Sequence, residues 1–291
     1  MKIALYGNDF SQSYLKYIKH LINKLVNENV QIIIHHQFYD FLQNLIELSE
    51  SIKTFEKIKK EDSIDYLFSI GGDGTLLKAV TYVRESNIPI MGINTGRLGF
   101  ISSISTDQID VAIDNVLNGE YKIRSRTVLK LETKNDLFGS TNFALNEVAI
   151  VKKDTSSMIR IDAFIDDEFL NSYWADGLLI STPTGSTGYS LSCGGPIILP
   201  GTENIIIAPI APHNLNVRPI IINEKNTIRL KIEDRDQLAL VSLDSRSRAF
   251  DSSLELIIKK ADFKIKLIEP KDSSFITTIR TKLMWGSDKR N

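Results

Sequence analysis

The sequence predicts a doubly wound α/β domain followed by an all-β domain. Three observations carry this: strand-like and helix-like apolar patterns alternate up to about residue 105, strand signals dominate beyond it, and the bare turn Gly71-Gly72-Asp73-Gly74-Thr75 joins a strand to a helix in the first part. The expected domains are 1–105 (α/β), 106–268 (all-β) and 269–291, a tail whose helix over 274–283 packs back on the first domain.

Residues 2–6 form a short apolar strand ending at Gly7-Asn8, and Tyr14, Leu15, Ile18, Leu21, Ile22, Leu25 and Val26 follow at helical spacing. The β-branched run 30–34 has the character of a buried parallel strand and precedes a helical pattern through Phe41, Leu42, Leu45, Ile46 and Leu48. A third strand over 66–70 delivers the glycine turn, whose helix reaches about Arg84, and 88–93 is a fourth. Such alternation implies right-handed βαβ units with ligands at the carboxyl ends of the strands. Both the glycine turn and Asn94-Thr95-Gly96-Arg97-Leu98-Gly99-Phe100 fall at such ends. After a helix over 107–117, strands are expected at 129–133, 142–152, 158–165, 169–174 and 178–181, with Asp166-Asp167-Glu168 as a hairpin turn. More follow at 204–208, 218–222, 227–232, 237–243, 253–259 and 262–268.

In 291 residues, 35 Lys+Arg stand against 36 Asp+Glu, so no global field draws the chain to nucleic acid or anionic lipid. Cys193 is the only cysteine, which excludes an intramolecular disulfide framework and a cysteine-only zinc site and suits a reducing cytosol. His20, His35, His36 and His213 lack metal-ligand spacing, so no resident metal site is expected. The first apolar run is too short for a signal peptide and nothing later approaches a membrane span, so the expected location is cytoplasmic.

Three glycines in the four positions 71–74 free the backbone and leave it bare, so a phosphate can lie against the loop amides and the start of the following helix. Asp73 has two readings there: an N-cap accepting a backbone N–H, or a base or metal-site residue. The block 176–196 is rich in hydroxyls and glycine and almost uncharged. It is either a surface loop whose Ser and Thr bond their own backbone or the lining of a buried sugar or base site, with Tyr189 offering a ring and a hydroxyl. Asn146 and Glu147 are adjacent in a strand pattern, so they face one ligand only at a bulge or strand end, the alternative being a plain turn.

In content and order, Gly71-Gly72-Asp73-Gly74-Thr75, the 92–100 segment, Asn146-Glu147 and the 176–196 block resemble the NAD kinases, and the likeness runs from the first strand to Lys282. Diacylglycerol kinases and 6-phosphofructokinases share the glycine-aspartate motif. Asn146-Glu147 together with Thr182-Pro183-Thr184-Gly185-Ser186-Thr187-Gly188-Tyr189-Ser190 is far more specific. The resemblance implies a Rossmann-like α/β domain followed by a β-sandwich, and transfer of the γ-phosphoryl of ATP, or in some members of polyphosphate, to the adenosine-ribose 2′-hydroxyl of NAD.

By motif position, the resemblance implies Asp73 as proton acceptor with Gly74 at the substrate, and Gly71, Gly72, Gly74 and Thr75 as the phosphate-donor loop. It implies Asn146 and Glu147 as the pair holding the nucleotide and Asp176 near the nicotinamide portion. Thr184, Thr187, Gly188, Tyr189, Ser190, Leu191 and Ser192 belong around the dinucleotide, and Phe100 near a base. It further implies Mg²⁺ or another divalent cation with ATP, and a homodimer or homotetramer. Gly188 stands where the family often has Ala, and Arg246 where many members have Gln, to reach a phosphate or form a surface ion pair. Trp174 is either a pocket wall or core. Two alternatives remain: a lipid kinase sharing the loop, which needs an acyl pocket or a membrane-directed surface, and a non-catalytic dinucleotide sensor.

Overall fold

The computed structural model describes residues 1–96, 99–102, 104–153, 158–233 and 238–286. The first part runs β1 (Lys2–Gly7), α1 (Leu15–Asn27), β2 (Gln31–His35), α2 (His36–Gln43), β3 (Lys53–Phe55), β4 (Tyr66–Ile70), α3 (Asp73–Val83), β5 (Ile90–Asn94), β6 (Ile104–Ser105), α4 (Ile109–Leu117) and β7 (Tyr121–Arg126). The middle runs β8 (Leu129–Glu132), β9 (Phe143–Ala144), β10 (Glu147–Lys152), β11 (Ile159–Ile165), β12 (Glu168–Ala175), β13 (Gly177–Ser181), α5 (Tyr189–Ser192), β14 (Asn204–Ile210), β15 (Ile220–Asn223), β16 (Ile228–Glu233), β17 (Leu238–Leu243), β18 (Arg246–Asp251) and β19 (Leu256–Lys260). The chain closes with β20 (Ile265–Pro270) and α6 (Phe275–Leu283).

Two compact units result: Met1–Ser125 with Ile265–Asn291, and Arg126–Lys264. The division falls at 125/126 rather than at 105 because β6 and β7 join the first unit's sheet. β20, expected in the β domain, belongs to that sheet too, and Leu267 pairs with Ile90 of β5.

The sheet of the first unit has the order β3-β2-β1-β4-β5-β20-β7, with β6 on β5. Strands β1 to β5 are parallel. Their order reverses between β1 and β4, which is the switch point where doubly wound sheets take ligands. Ile3, Leu5, Phe68, Ile70 and Met91 build one core with Ile18, Leu21 and Ile113 of the covering helices.

The second unit holds two six-stranded sheets, β15-β14-β13-β10-β17-β18 and β12-β11-β16-β19-β8-β9. Ile161, Leu230 and Ile258 of one sheet share a core with Ile150, Ile180 and Val241 of the other, which makes the unit a sandwich. The hairpin expected at 166–168 is a two-residue turn at Asp166 and Asp167, with φ 47° and 69°, and Ile165 pairs with Glu168. The stretch 142–152, expected as one strand, is two: β9 lies in one sheet, β10 in the other, and the chain crosses between them at Leu145-Asn146. Gln237, expected in β17, lies outside the described residues. Among the described residues no helix is long and apolar enough to cross a membrane.

Candidate active site

In the first unit, β4 ends at the switch point and places Gly71 there with φ 149°, a left-handed value that suits only glycine. A Cβ at Gly71 would also lie 2.3 Å from Thr75 Oγ1. That buried hydroxyl accepts from Asn8 Nδ2, just after β1, at 3.3 Å. Gly72 and Gly74 are exposed, and a Cβ on either would meet nothing within 4 Å. The turn is therefore bare toward solvent, and α3 starts from Gly72 without a side-chain cap; Thr75 and Leu76 N–H donate to Gly72 O, while the amides of Asp73 and Gly74 have no intrahelical acceptor and suit an anion.

Asp73 is not the cap. It is the first residue of α3, and its carboxylate reaches the segment after β5. Phe100 N–H donates to Oδ2 at 2.7 Å, and Ile101 and Ser102 N–H donate to Oδ1 at 3.3 and 2.9 Å. A Cβ on Gly99 would fall 1.7 Å from Oδ1, so glycine there is a matter of close approach. Ser102 Oγ ties the same segment to Gly71 O at 3.1 Å. A carboxylate offers about four lone-pair positions. Three are taken, and one on Oδ2 remains for a hydroxyl donor. Phe100 is half-buried and held through its amide, whereas Arg97 and Leu98 of the expected motif lie outside the described residues.

In the second unit, Asn146 and Glu147 sit where the chain changes sheets, the strand end that lets neighbouring side chains share a side. A Cβ on Gly188 would lie 3.2 Å from Glu147 Oε2 and 3.4 Å from Asn146 Nδ2, so both side chains converge on that glycine. Glu147 Oε2 and Asn146 Oδ1 are buried and unpartnered. Burial, with the Asp244 carboxylate adding repulsion, pushes Glu147 up to about 8, against the pull of the Tyr189 amide that donates to it.

Beneath this turn lies a residue the motifs did not mark. Asp244, 2% exposed, occupies the β17–β18 hairpin with φ 53°. It accepts Leu145 N–H on Oδ2 at 3.0 Å and Asn146 and Glu147 N–H on Oδ1 at 2.7 and 3.2 Å. From the other side, Thr182 Oγ1 donates to Leu145 O at 2.6 Å and Ser181 Oγ to Asn146 O at 3.2 Å. Sequence offered only one signal, an Asp at a position able to turn a hairpin.

The hydroxyl-rich block continues from β13 and covers the outer face of its sheet, where Cys193 and Ile198 pack on Leu179 and Ile206. Several hydroxyls bond backbone, as the plainer reading expected: Ser186 Oγ donates to Pro183 O at 2.7 Å and Thr187 Oγ1 to Thr184 O at 3.3 Å. Ser190 Oγ differs, being buried and unpartnered. Tyr189 is exposed, Leu191 is half-buried, Ser192 is exposed and Thr184 is buried. Asp176, between β12 and β13, pairs with Lys152 Nζ at 2.6 Å. Arg246 forms no surface ion pair: its largely buried guanidinium donates to Thr141 O and Phe143 O and stands 3.9 Å from Asp244. Trp174, on edge strand β12, is 52% exposed and so is not core.

Known proteins are similar to this chain in sequence and fold. The family models described as ATP-NAD kinase N-terminal domain and ATP-NAD kinase C-terminal domain match residues 3–121 and 145–270. NAD kinases of Cytophaga hutchinsonii and Christiangramia forsetii are 49% and 45% identical, each alignment covering 100% of both chains. Among solved structures, yeast NADH kinase complexed with NADH superposes with TM-score 0.86 at 25% identity, covering 99% of this chain and 89% of that one. An NAD kinase from Archaeoglobus fulgidus in complex with ATP, 23% identical with TM-score 0.76, covers 98% of this chain and 99% of its own and attests the fold. These matches define a phosphotransferase. The chain belongs to the ATP-NAD kinase family.

Proposed function

We propose that the protein transfers the γ-phosphoryl of ATP, or of polyphosphate, to the 2′-hydroxyl of the adenosine ribose of NAD, giving NADP. The observation that carries this is Asp73: a rigidly held carboxylate beside a bare phosphate loop, with one lone pair left on Oδ2 to accept the hydroxyl's proton. The loop of Gly71, Gly72, Gly74 and Thr75 takes the donor phosphates on its bare face, with the helix-start amides of Asp73 and Gly74 as donors, since the Gly71 and Thr75 amides already donate to Ile93 O and Gly72 O. Asn146 and Glu147 hold the nucleotide through their unpartnered oxygens, and Ser190, with Thr184, Thr187, Gly188, Tyr189, Leu191 and Ser192, adds polar and ring contacts. Asp176 serves the nicotinamide portion and Phe100 a base. Arg246 supports the site through its carbonyl contacts rather than by touching phosphate.

Among the described residues no group of three His, Cys, Asp or Glu side chains is placed to hold a metal, so the divalent cation is assigned to the ATP substrate, where it neutralises phosphoryl charge. We place the protein in the cytoplasm, in keeping with its single free cysteine, and assign it a homodimeric or homotetrameric state that light scattering tests. Neither the lipid kinase nor the sensor alternative finds support among the relatives. The deciding experiment is a coupled assay for NADP from NAD, ATP and Mg²⁺. Absence of NADP with a folded protein would refute the proposal, and phosphorylation of diacylglycerol instead would favour the lipid kinase.

A further inference from the structure

Three successive amides, Leu145, Asn146 and Glu147, meet on one buried carboxylate. Successive amides of an extended strand point to opposite sides, so this convergence defines a nest-like turn at Leu145-Asn146, immediately before β10 starts at Glu147. The carbonyls of the same turn are fixed as well, Leu145 O by Thr182 Oγ1, Asn146 O by Ser181 Oγ and Thr182 N–H, and Glu147 O by the amide of Asp244. The closure of these bonds is local to the three residues Leu145, Asn146 and Glu147, at the crossing between the sheets.

We propose that Asp244, with Thr182 as its counterpart, is a positioning residue for the NAD-binding pair: it holds 145–147 bent so that Asn146 and Glu147 both face the space beside Gly188. This rests on the reading of the pair as NAD ligands. Asp244 touches no substrate itself. It acts by removing the ordering cost from the binding step, since buried amides without an acceptor would drive the turn toward another conformation. Its left-handed backbone at a two-residue hairpin tolerates Asp, and the buried carboxylate supplies acceptors on both oxygens, as the three-amide pattern requires.

The test is Asp244→Asn in the full-length enzyme, assayed for NADP formation with NAD and ATP varied separately. Asn keeps the shape but offers one acceptor oxygen and turns an NH₂ toward an amide. The expected result is a KM for NAD raised about 10- to 100-fold, the range for hydrogen bonds to a charged group, with KM for ATP unchanged and kcat changed far less. A merely structural role would lower kcat with the active fraction and leave both KM values alone, which would overturn the proposal, as would a wild-type KM for NAD. If Asp244→Asn does not fold, Thr182→Val decides. A selective rise in KM for NAD supports the clamp, and an unchanged value overturns it. A wild-type enzyme making no NADP would instead sink the functional reading.

Discussion

Asp73 in the first unit and Asp244 in the second are bonded alike: each accepts three successive backbone amides, two on Oδ1 and one on Oδ2. They differ in surroundings. Asp73 is half-buried beside glycines with open space over them, whereas Asp244 is sealed under a sheet crossover. The same amide cradle thus leaves a carboxylate lone pair accessible in one place and closed off in the other. In both places a carboxylate satisfies backbone donors that would otherwise be costly to bury.

A glycine next to Asp73 and one packed on the turn that Asp244 bonds give the sharpest contrast. Gly74→Val is expected to abolish NADP formation with Tm unchanged, since the new side chain meets ligand space and no protein atom. Gly185→Ala is expected to lower Tm, because its Cβ would lie 2.2 Å from Asn146 O, and overpacking of that kind costs about 1–3 kcal/mol. Thermal melts beside activity assays separate them, and a stable, active Gly74→Val would reduce that loop to a plain turn.

Asp73→Asn comes next. It should cut kcat by roughly 10²–10⁴-fold, the range for a positioned base, and lower Tm slightly, since Asn can accept from the 100–102 amides through one oxygen only. A rate recovered at high Mg²⁺ would mean that metal positioning was lost instead.

Glu147→Ala should weaken NAD binding by about 10- to 100-fold in calorimetry, as expected when a buried hydrogen-bond partner is removed and its counterpart left unsatisfied. Unchanged affinity would return the pair to an ordinary turn.

The smallest effect is Glu147→Gln. The folded carboxyl sits near 8 against 4.5 when unfolded, so the stability it contributes is full below 4.5 and is lost as pH rises through about 8. Gln does not titrate, so melts of the ligand-free variants should show its Tm advantage over wild type growing from pH 5 to pH 8. A gap independent of pH would show that Glu147 ionises normally.

Legibility followed locality. Parallel strands, the glycine turn and the Asn-Glu pair were readable because periodicity and motif act within a few residues. The edge strand β3 and the strand β7 were missed because Lys53-Thr54-Phe55 is short and Tyr121–Arg126 carries only Tyr121 and Ile123 as apolar residues among three basic ones. β18 was missed for a like reason, since its Arg246–Asp251 stretch is mostly charged or polar. The cap reading of Asp73 failed because its partners lie 27 to 29 residues away. Asp244 was hidden more deeply, with partners 97 to 99 residues distant and nothing in its own neighbourhood to announce them.

β20 has a consequence for synthesis. Its pairing of Leu267 with Ile90 spans 177 positions (267 − 90), and the whole sandwich unit is made in between. On a ribosome, the sheet bearing the glycine turn therefore stays unfinished beside β5 until nearly all of the chain has emerged, while the later-encoded sandwich has all its strands first. Premature termination near the 3′ end of the message would strike the half encoded first.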